Sequence, residues 1–251
     1  MDAGLRDRVV LITGGGGGLG PTLARTFAAE GAAIAVQYRS SRQRAESVAD
    51  EIRAAGGRAV AVGAGLAEAV AAGAMVAEVE RALGPVAVLV TATSTFRMAS
   101  LEETSDEAWG ADLDGMLGAA FRASRAVVPG MRAAGFGRIV HVAARSGLVG
   151  AGRAAAYVAA KAGIVGLTLA LAKELGPAGI LVNAVAPTTI LTERDGVLSV
   201  SADRQASLAR SIPLGRLATP DDVARAVLWL GSAHNSFVTG EVLGITGGAG
   251  S

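Results

Sequence analysis

Residues 9–20, Val-Val-Leu-Ile-Thr-Gly-Gly-Gly-Gly-Gly-Leu-Gly, constrain the fold more than any other stretch. The apolar run Val9–Ile12 reads as a buried parallel strand. Five consecutive glycines, Gly14 to Gly18, then turn the chain. A helix follows with Pro21 in its first turn, where a missing N–H costs nothing. Glycines let a backbone approach a ligand closely, and a helix N-terminus behind them offers free N–H groups and partial positive charge. Strand, glycine loop and helix together form a cradle suited to a pyrophosphate.

The same alternation continues to the C-terminus. Strands are expected at 34–37, 59–62, 86–90, 139–142, 180–185 and 242–245. Helices are expected at 21–30, 42–55, 70–83, 106–134, 154–175 and 220–230, the last capped by Thr219 and the fourth bent near Pro129-Gly130. No linker divides this βαβ repetition. A single domain over 1–251 is expected: a doubly wound, mostly parallel sheet of about seven strands with helices on both faces. The stretch 188–212 lacks a clear period and is expected to be an irregular loop that acts as a substrate lid.

Composition narrows the function. A net charge of +1 gives no reason to expect nucleic acid or an anionic membrane as partner. No cysteine is present, which excludes disulfides and thiolate chemistry and suits the reducing cytoplasm. Two histidines far apart argue against a histidine metal cluster, so no metal is expected. The first eight residues show no signal peptide, and no uninterrupted apolar run is long enough to span a bilayer.

The expected second strand ends in Gln37-Tyr38-Arg39-Ser40-Ser41-Arg42. An acid there would hold the adenosine ribose of NAD. Arg39 and Ser40 instead suit a 2′-phosphate, so NADP(H) is the expected cofactor.

Thr13-Gly14-x-x-x-Gly18-x-Gly20, followed by Tyr157-x-x-x-Lys161 opening a long helix, resembles the short-chain dehydrogenase/reductase family, in its 3-oxoacyl-carrier-protein reductase-like branch. Leu181–Pro187, Gly215–Ala224 and Val238–Glu241 resemble further segments of it, so the resemblance spans nearly the whole chain. It implies a Rossmann-type oxidoreductase that interconverts a ketone and a secondary alcohol. Tyr157 would be the acid/base, and Lys161 would lower its pKa and bind the nicotinamide ribose. Gly14, Gly18, Leu19, Gly20, Arg39, Ser40, Lys161, Pro187, Ile190 and Thr192 would hold the cofactor. It also implies a homotetramer or homodimer built on the long helices near Asp106 and Ala154.

The resemblance lapses at instructive places. The serine expected thirteen residues before the tyrosine is Ala144, and the asparagine expected seven past Trp109 is Met116. The usual Asn-Asn-Ala-Gly after the fourth strand is Thr91-Ala92-Thr93-Ser94. Gly17, Gly65 and Thr188 replace a basic residue, an aspartate and a glycine. Loss of one hydroxyl donor costs about 10²–10³ in rate. Ser146 could replace it if the chain stays extended past Ala144, and Thr93 or Ser94 could offer a hydroxyl. His141 reads as a core histidine with a partner. Arg145 could attract an acidic substrate or face solvent. The stretch 188–212 carries Glu193, Arg194, Asp195, Asp203, Arg204 and Arg210 and no aromatic, leaving Phe96 and Trp109 as the nearby flat side chains. A non-redox enzyme on this fold (proton transfer, dehydration or cyclisation) and a non-catalytic partner or ligand sensor remain as alternatives.

Overall fold

The computed structural model describes residues 2–194 and 196–249. Its centre is a sheet of seven parallel strands in the order β3-β2-β1-β4-β5-β6-β9. The strands are β1 (Val9–Thr13), β2 (Ala33–Tyr38), β3 (Ala59–Gly63), β4 (Val86–Thr91), β5 (Gly137–Val142), β6 (Ile180–Pro187) and β9 (Val242–Ile245). Each agrees with the expected strand to within two residues.

Alternation of side chains splits the core in two. Val10, Ile12, Val88, Val90, Val140 and Val142 point to one face. There they meet α1 (Gly20–Ala29), α2 (Arg42–Ala54) and α9 (Pro220–Gly231). Val9, Leu11, Leu89, Ile139 and Val182 point to the other, covered by α3 (Ala69–Leu83), α5 (Ala119–Ala134) and α7 (Ala155–Leu175). Both faces of every central strand are buried, which is why these strands read as continuous apolar runs. The order reverses beside β1, between β2 and β4, and the crevice at the C-terminal ends of these strands is where such sheets bind ligands.

Three expectations need correction. The long helix from Asp106 is interrupted at Asp114–Gly118 by a π turn between α4 (Asp106–Leu113) and α5. Pro129 lies inside α5 without ending it. The Ala119 N–H bonds the Asp114 carbonyl five residues back, and Arg122 reaches Asp114 Oδ1 at 2.9 Å over the bare Cα of Gly118. Small residues at 115 and 118, rather than the proline, locate the irregularity. The stretch 188–212 is not irregular throughout. It holds the antiparallel pair β7 (Glu193–Arg194) and β8 (Val197–Leu198), then α8 (Ala202–Ala209). Asp195 lies outside the described residues. Beyond Ala144 the chain coils into one helical turn, α6 (Ser146–Val149), so the extended path assumed for Ser146 is absent. Ala155–Ala178, although interrupted by Lys161 and Lys173, is long and apolar enough to cross a bilayer by length and composition. In this fold it is a core helix that lays Ala156, Ala160, Ile164, Thr168, Ala172 and Leu175 against its neighbours. Its hydropathy comes mainly from Val158, Ile164, Val165, Leu167, Leu169 and Leu171, spaced among alanines. The Thr219 cap is present as expected, as a capping box with Asp222.

Candidate active site

A cavity of about 1250 Å³ opens at the switch point, lined by the glycine loop, the exits of β2, β4, β5 and β6, the start of α7, and α8. Gly14 has φ of +68°, and a Cβ there would come within about 3 Å of the Ala92 and Thr93 backbone. Only glycine fits that turn. A Cβ on Gly18 would strike Thr192 at 2.8 Å, so the segment after β6 lies directly on the loop. The N-terminus of α1 has no side-chain cap and no acid in its first turn, leaving its N–H groups for an anion.

Gln37 organises this end of the cavity, a role the sequence reading missed. Its buried amide accepts from the Gly14 N–H at 2.8 Å and donates to the Ala64 carbonyl at 2.8 Å. One side chain therefore ties the glycine loop to the chain leaving β3. The available signal was a polar residue inside the otherwise apolar strand Ala33–Tyr38. Just beyond it, Arg39, Ser40 and Ser41 line the cavity. A Cβ on Gly16 would collide with the Ser41 hydroxyl, so that hydroxyl rests on the loop itself. These residues fit a dinucleotide: bare glycines and free N–H groups for the pyrophosphate, and hydroxyls with a guanidinium at the ribose end.

Eleven of the residues named from sequence meet on this cavity wall: Gly14, Gly18, Leu19, Arg39, Ser40, Ser146, Tyr157, Lys161, Pro187, Ile190 and Thr192. Gly20 does not. It lies behind the loop, packed against Gly15.

At the far end, Tyr157 and Lys161 share one face of α7, as their spacing requires. Lys161 is 1% exposed. Its Nζ donates to the Val142 carbonyl at 2.8 Å and the Thr93 carbonyl at 3.4 Å, and stands 5.8 Å from the centre of the Tyr157 ring. Burial lowers its pKa to about 8. The expected effect on the phenol is reversed. Burial raises the Tyr157 pKa above its ordinary value, opposed only by a hydrogen bond with Ser94. The lysine is occupied by carbonyls beneath it and does not touch the phenol. Phe96 packs edge-on to the Tyr157 ring at 5.0 Å, whereas Trp109 is not on the wall.

Ala144 is buried and carries no donor. Met116 is fully buried in the π turn, among Ala120, Ala143, Ala160, Ile164 and Ala184, so the position expected to be polar is packed as core. His141 is a core residue with a partner, as read from sequence. Its Nδ1 pairs with Thr91 Oγ1 at 2.8 Å. Desolvation, with Lys161 nearby, lowers its pKa to about 4. Arg145 and Arg204 both line the cavity. Among the described residues no group of acids or histidines could hold a metal ion.

A doubly wound sheet with a glycine-loop cradle and a Tyr/Lys pair at its switch point defines a nicotinamide-dependent oxidoreductase. The comparisons with known proteins specify it further. The family described as enoyl-(acyl carrier protein) reductase matches residues 15–250. The 3-oxoacyl-[acyl-carrier-protein] reductase FabG of Staphylococcus aureus is 35% identical over 238 residues, covering 95% of this chain and 96% of the relative. The (2S)-[(R)-hydroxy(phenyl)methyl]succinyl-CoA dehydrogenase subunit BbsD of Thauera aromatica is 38% identical over 245 residues, covering 98% and 97%. A crystal structure of a dehydrogenase/reductase from Sinorhizobium meliloti 1021 superposes with a TM-score of 0.90 at 34% identity, covering 100% of this chain and 98% of that one. The chain belongs to the short-chain dehydrogenase/reductase family and is an oxidoreductase of its ketoreductase type.

Proposed function

We propose that the chain is an NADP(H)-dependent reductase that interconverts a ketone and a secondary alcohol, acting despite alanine at 144 and methionine at 116. The observation that carries the reading is one cavity with the glycine cradle and Arg39 at one end and Tyr157 with Lys161 at the other. The cofactor, when bound, supplies or accepts the hydride. Arg39, Ser40 and Ser41 would hold the 2′-phosphate, Gly14, Gly18 and the start of α1 the pyrophosphate, and Pro187, Ile190 and Thr192 the nicotinamide end. The buried Lys161 cation, held by two carbonyls, would bind the ribose. Tyr157, kept protonated by burial, donates its proton to the carbonyl oxygen in reduction. Ser146 lines the same cavity from α6. The absence of cysteines suits the cytoplasm as the place of action.

NADPH absorbance followed across a panel of ketones, with Tyr157→Phe alongside, tests the reading. The wild type is expected to consume NADPH in step with alcohol formed, and the variant to lose about 10²–10⁴ in turnover. Product formation without NADPH consumption would favour the non-redox alternative, for which the apolar residues at 144 and 116 are the motive.

A further inference from the structure

The missing donor at 144 raises the question of which group steadies the substrate oxygen opposite Tyr157. The sheet register answers it. Thr91 at the end of β4 pairs with His141 in β5. Three residues past His141 is Ala144, and three past Thr91 is Ser94. The pairing ends at Thr91 and His141, and the two positions lie equally far beyond it, on the exits of neighbouring strands. Both line the cavity. One presents a methyl group, and the other a hydroxyl on the same wall as the Tyr157 phenol, where it favours the ionised phenol against the effect of burial.

The segment carrying Ser94 is anchored on both sides of it. The Thr93 carbonyl accepts from Lys161. Thr95 donates to Asp112 of α4 at 3.0 Å, and Asp112 is buried. Phe96 packs edge-on to the Tyr157 ring. The Ala99 N–H bonds the Arg153 carbonyl at 2.9 Å, tying the far end of the segment to the chain leading into α7. Ser94 is therefore fixed on the cavity wall by its neighbours, one of which, Phe96, packs on the Tyr157 ring.

We propose that Ser94 is the second hydroxyl donor of this active site, binding the substrate carbonyl oxygen together with Tyr157 from the β4 exit instead of the β5 exit. The proposal rests on the reductase reading above. In reduction, a hydride from the reduced nicotinamide forms the new C–H bond at the carbonyl carbon. The C=O π pair moves to oxygen, the phenol proton of Tyr157 forms the O–H bond, and solvent reprotonates the phenolate. Ser94 only hydrogen-bonds, spreading the charge that develops on oxygen, and undergoes no net proton change.

The test compares Ser94→Ala, Ser94→Thr and the double variant Ser94→Ala/Ala144→Ser with wild type. NADPH-linked ketone reduction, NADPH affinity by fluorescence titration, and ultraviolet titration of the Tyr157 phenol are the readouts. Two tyrosines are present, so subtracting Tyr157→Phe isolates the phenol signal. Ser94→Ala is expected to lose about 10²–10³ in kcat, with NADPH affinity unchanged and the phenol titrating at higher pH. Ser94→Thr should keep most of the activity, and the double variant should regain part of it. Ser94→Ala turning over within about threefold of wild type, or an unmoved phenol titration, overturns the proposal. A wild type that binds NADPH but reduces no ketone overturns the reductase reading and the donor role with it, and the phenol titration then shows whether the pairing itself stands.

Discussion

His141 shows what a single buried side chain does to this molecule. It is fully buried, bonded to Thr91 through one nitrogen, and its other ring nitrogen has no hydrogen-bond partner. Its pKa falls from 6.5 to about 4. Between those values the unfolded chain binds the proton and the folded chain does not, so stability rises with pH through that window and is lost as pH falls through it. The contribution is on the order of 3 kcal/mol. His141→Asn keeps a polar partner for Thr91 and cannot titrate. Its unfolding free energy, measured by denaturant between pH 6.5 and 4, is expected to fall less steeply than that of wild type; parallel curves would contradict this. Sequence reading foresaw the core histidine and the Tyr157–Lys161 face, because both follow from local period. It reversed the phenol's pKa, because that depends on where the Lys161 ammonium points. The Val142 and Thr93 carbonyls decide this, and they arrive from strands far away in sequence.

At the scale of elements, strands and long helices were legible because each is buried on a regular period. The misses share a cause. The π turn, α6, the β7–β8 pair and α8 are short pieces whose conformation is set by what they pack against. Gly147 at the α6 turn lies so close to Lys161 of α7 that a Cβ would meet its backbone at 2.8 Å, a contact invisible to local pattern. The exit of β2 is the opposite case, since Tyr38-Arg39-Ser40-Ser41, singled out from the sequence, do line the cavity. Replacing Arg39 by alanine removes the guanidinium from this exit and leaves the strand intact. NADPH binding should weaken by about 10- to 100-fold, the worth of a charge-assisted bond, with NADH binding nearly unchanged, as read by fluorescence titration. Equal weakening of both would mean that Arg39 does not read the 2′-phosphate.

At the scale of the whole molecule, the long helices leave apolar side chains exposed. Phe121 on α5 and Leu169 on α7 are exposed on one side of the sheet, and Trp229 on α9 with Leu243 on β9 at its edge. Exposed apolar helix faces of this kind mark sites of association, and we propose that copies of the chain assemble through them into a dimer or tetramer. Light scattering after size exclusion is expected to give two or four times 24.9 kDa; a monomer at micromolar concentration would defeat the proposal. The architecture was readable in advance because the βαβ alternation leaves few topologies. The cavity's reacting end was readable only in part, because Ser94 and Ala144 reach one cavity wall only once β4 and β5 are paired. The most direct test of the whole account follows the hydride itself. NADPH carrying deuterium at both C4 positions of the nicotinamide, incubated with protein and a ketone that it reduces, should yield an alcohol with one deuterium on the carbinol carbon by mass spectrometry. Product formed at the same rate without deuterium would show that this cavity does not transfer hydride.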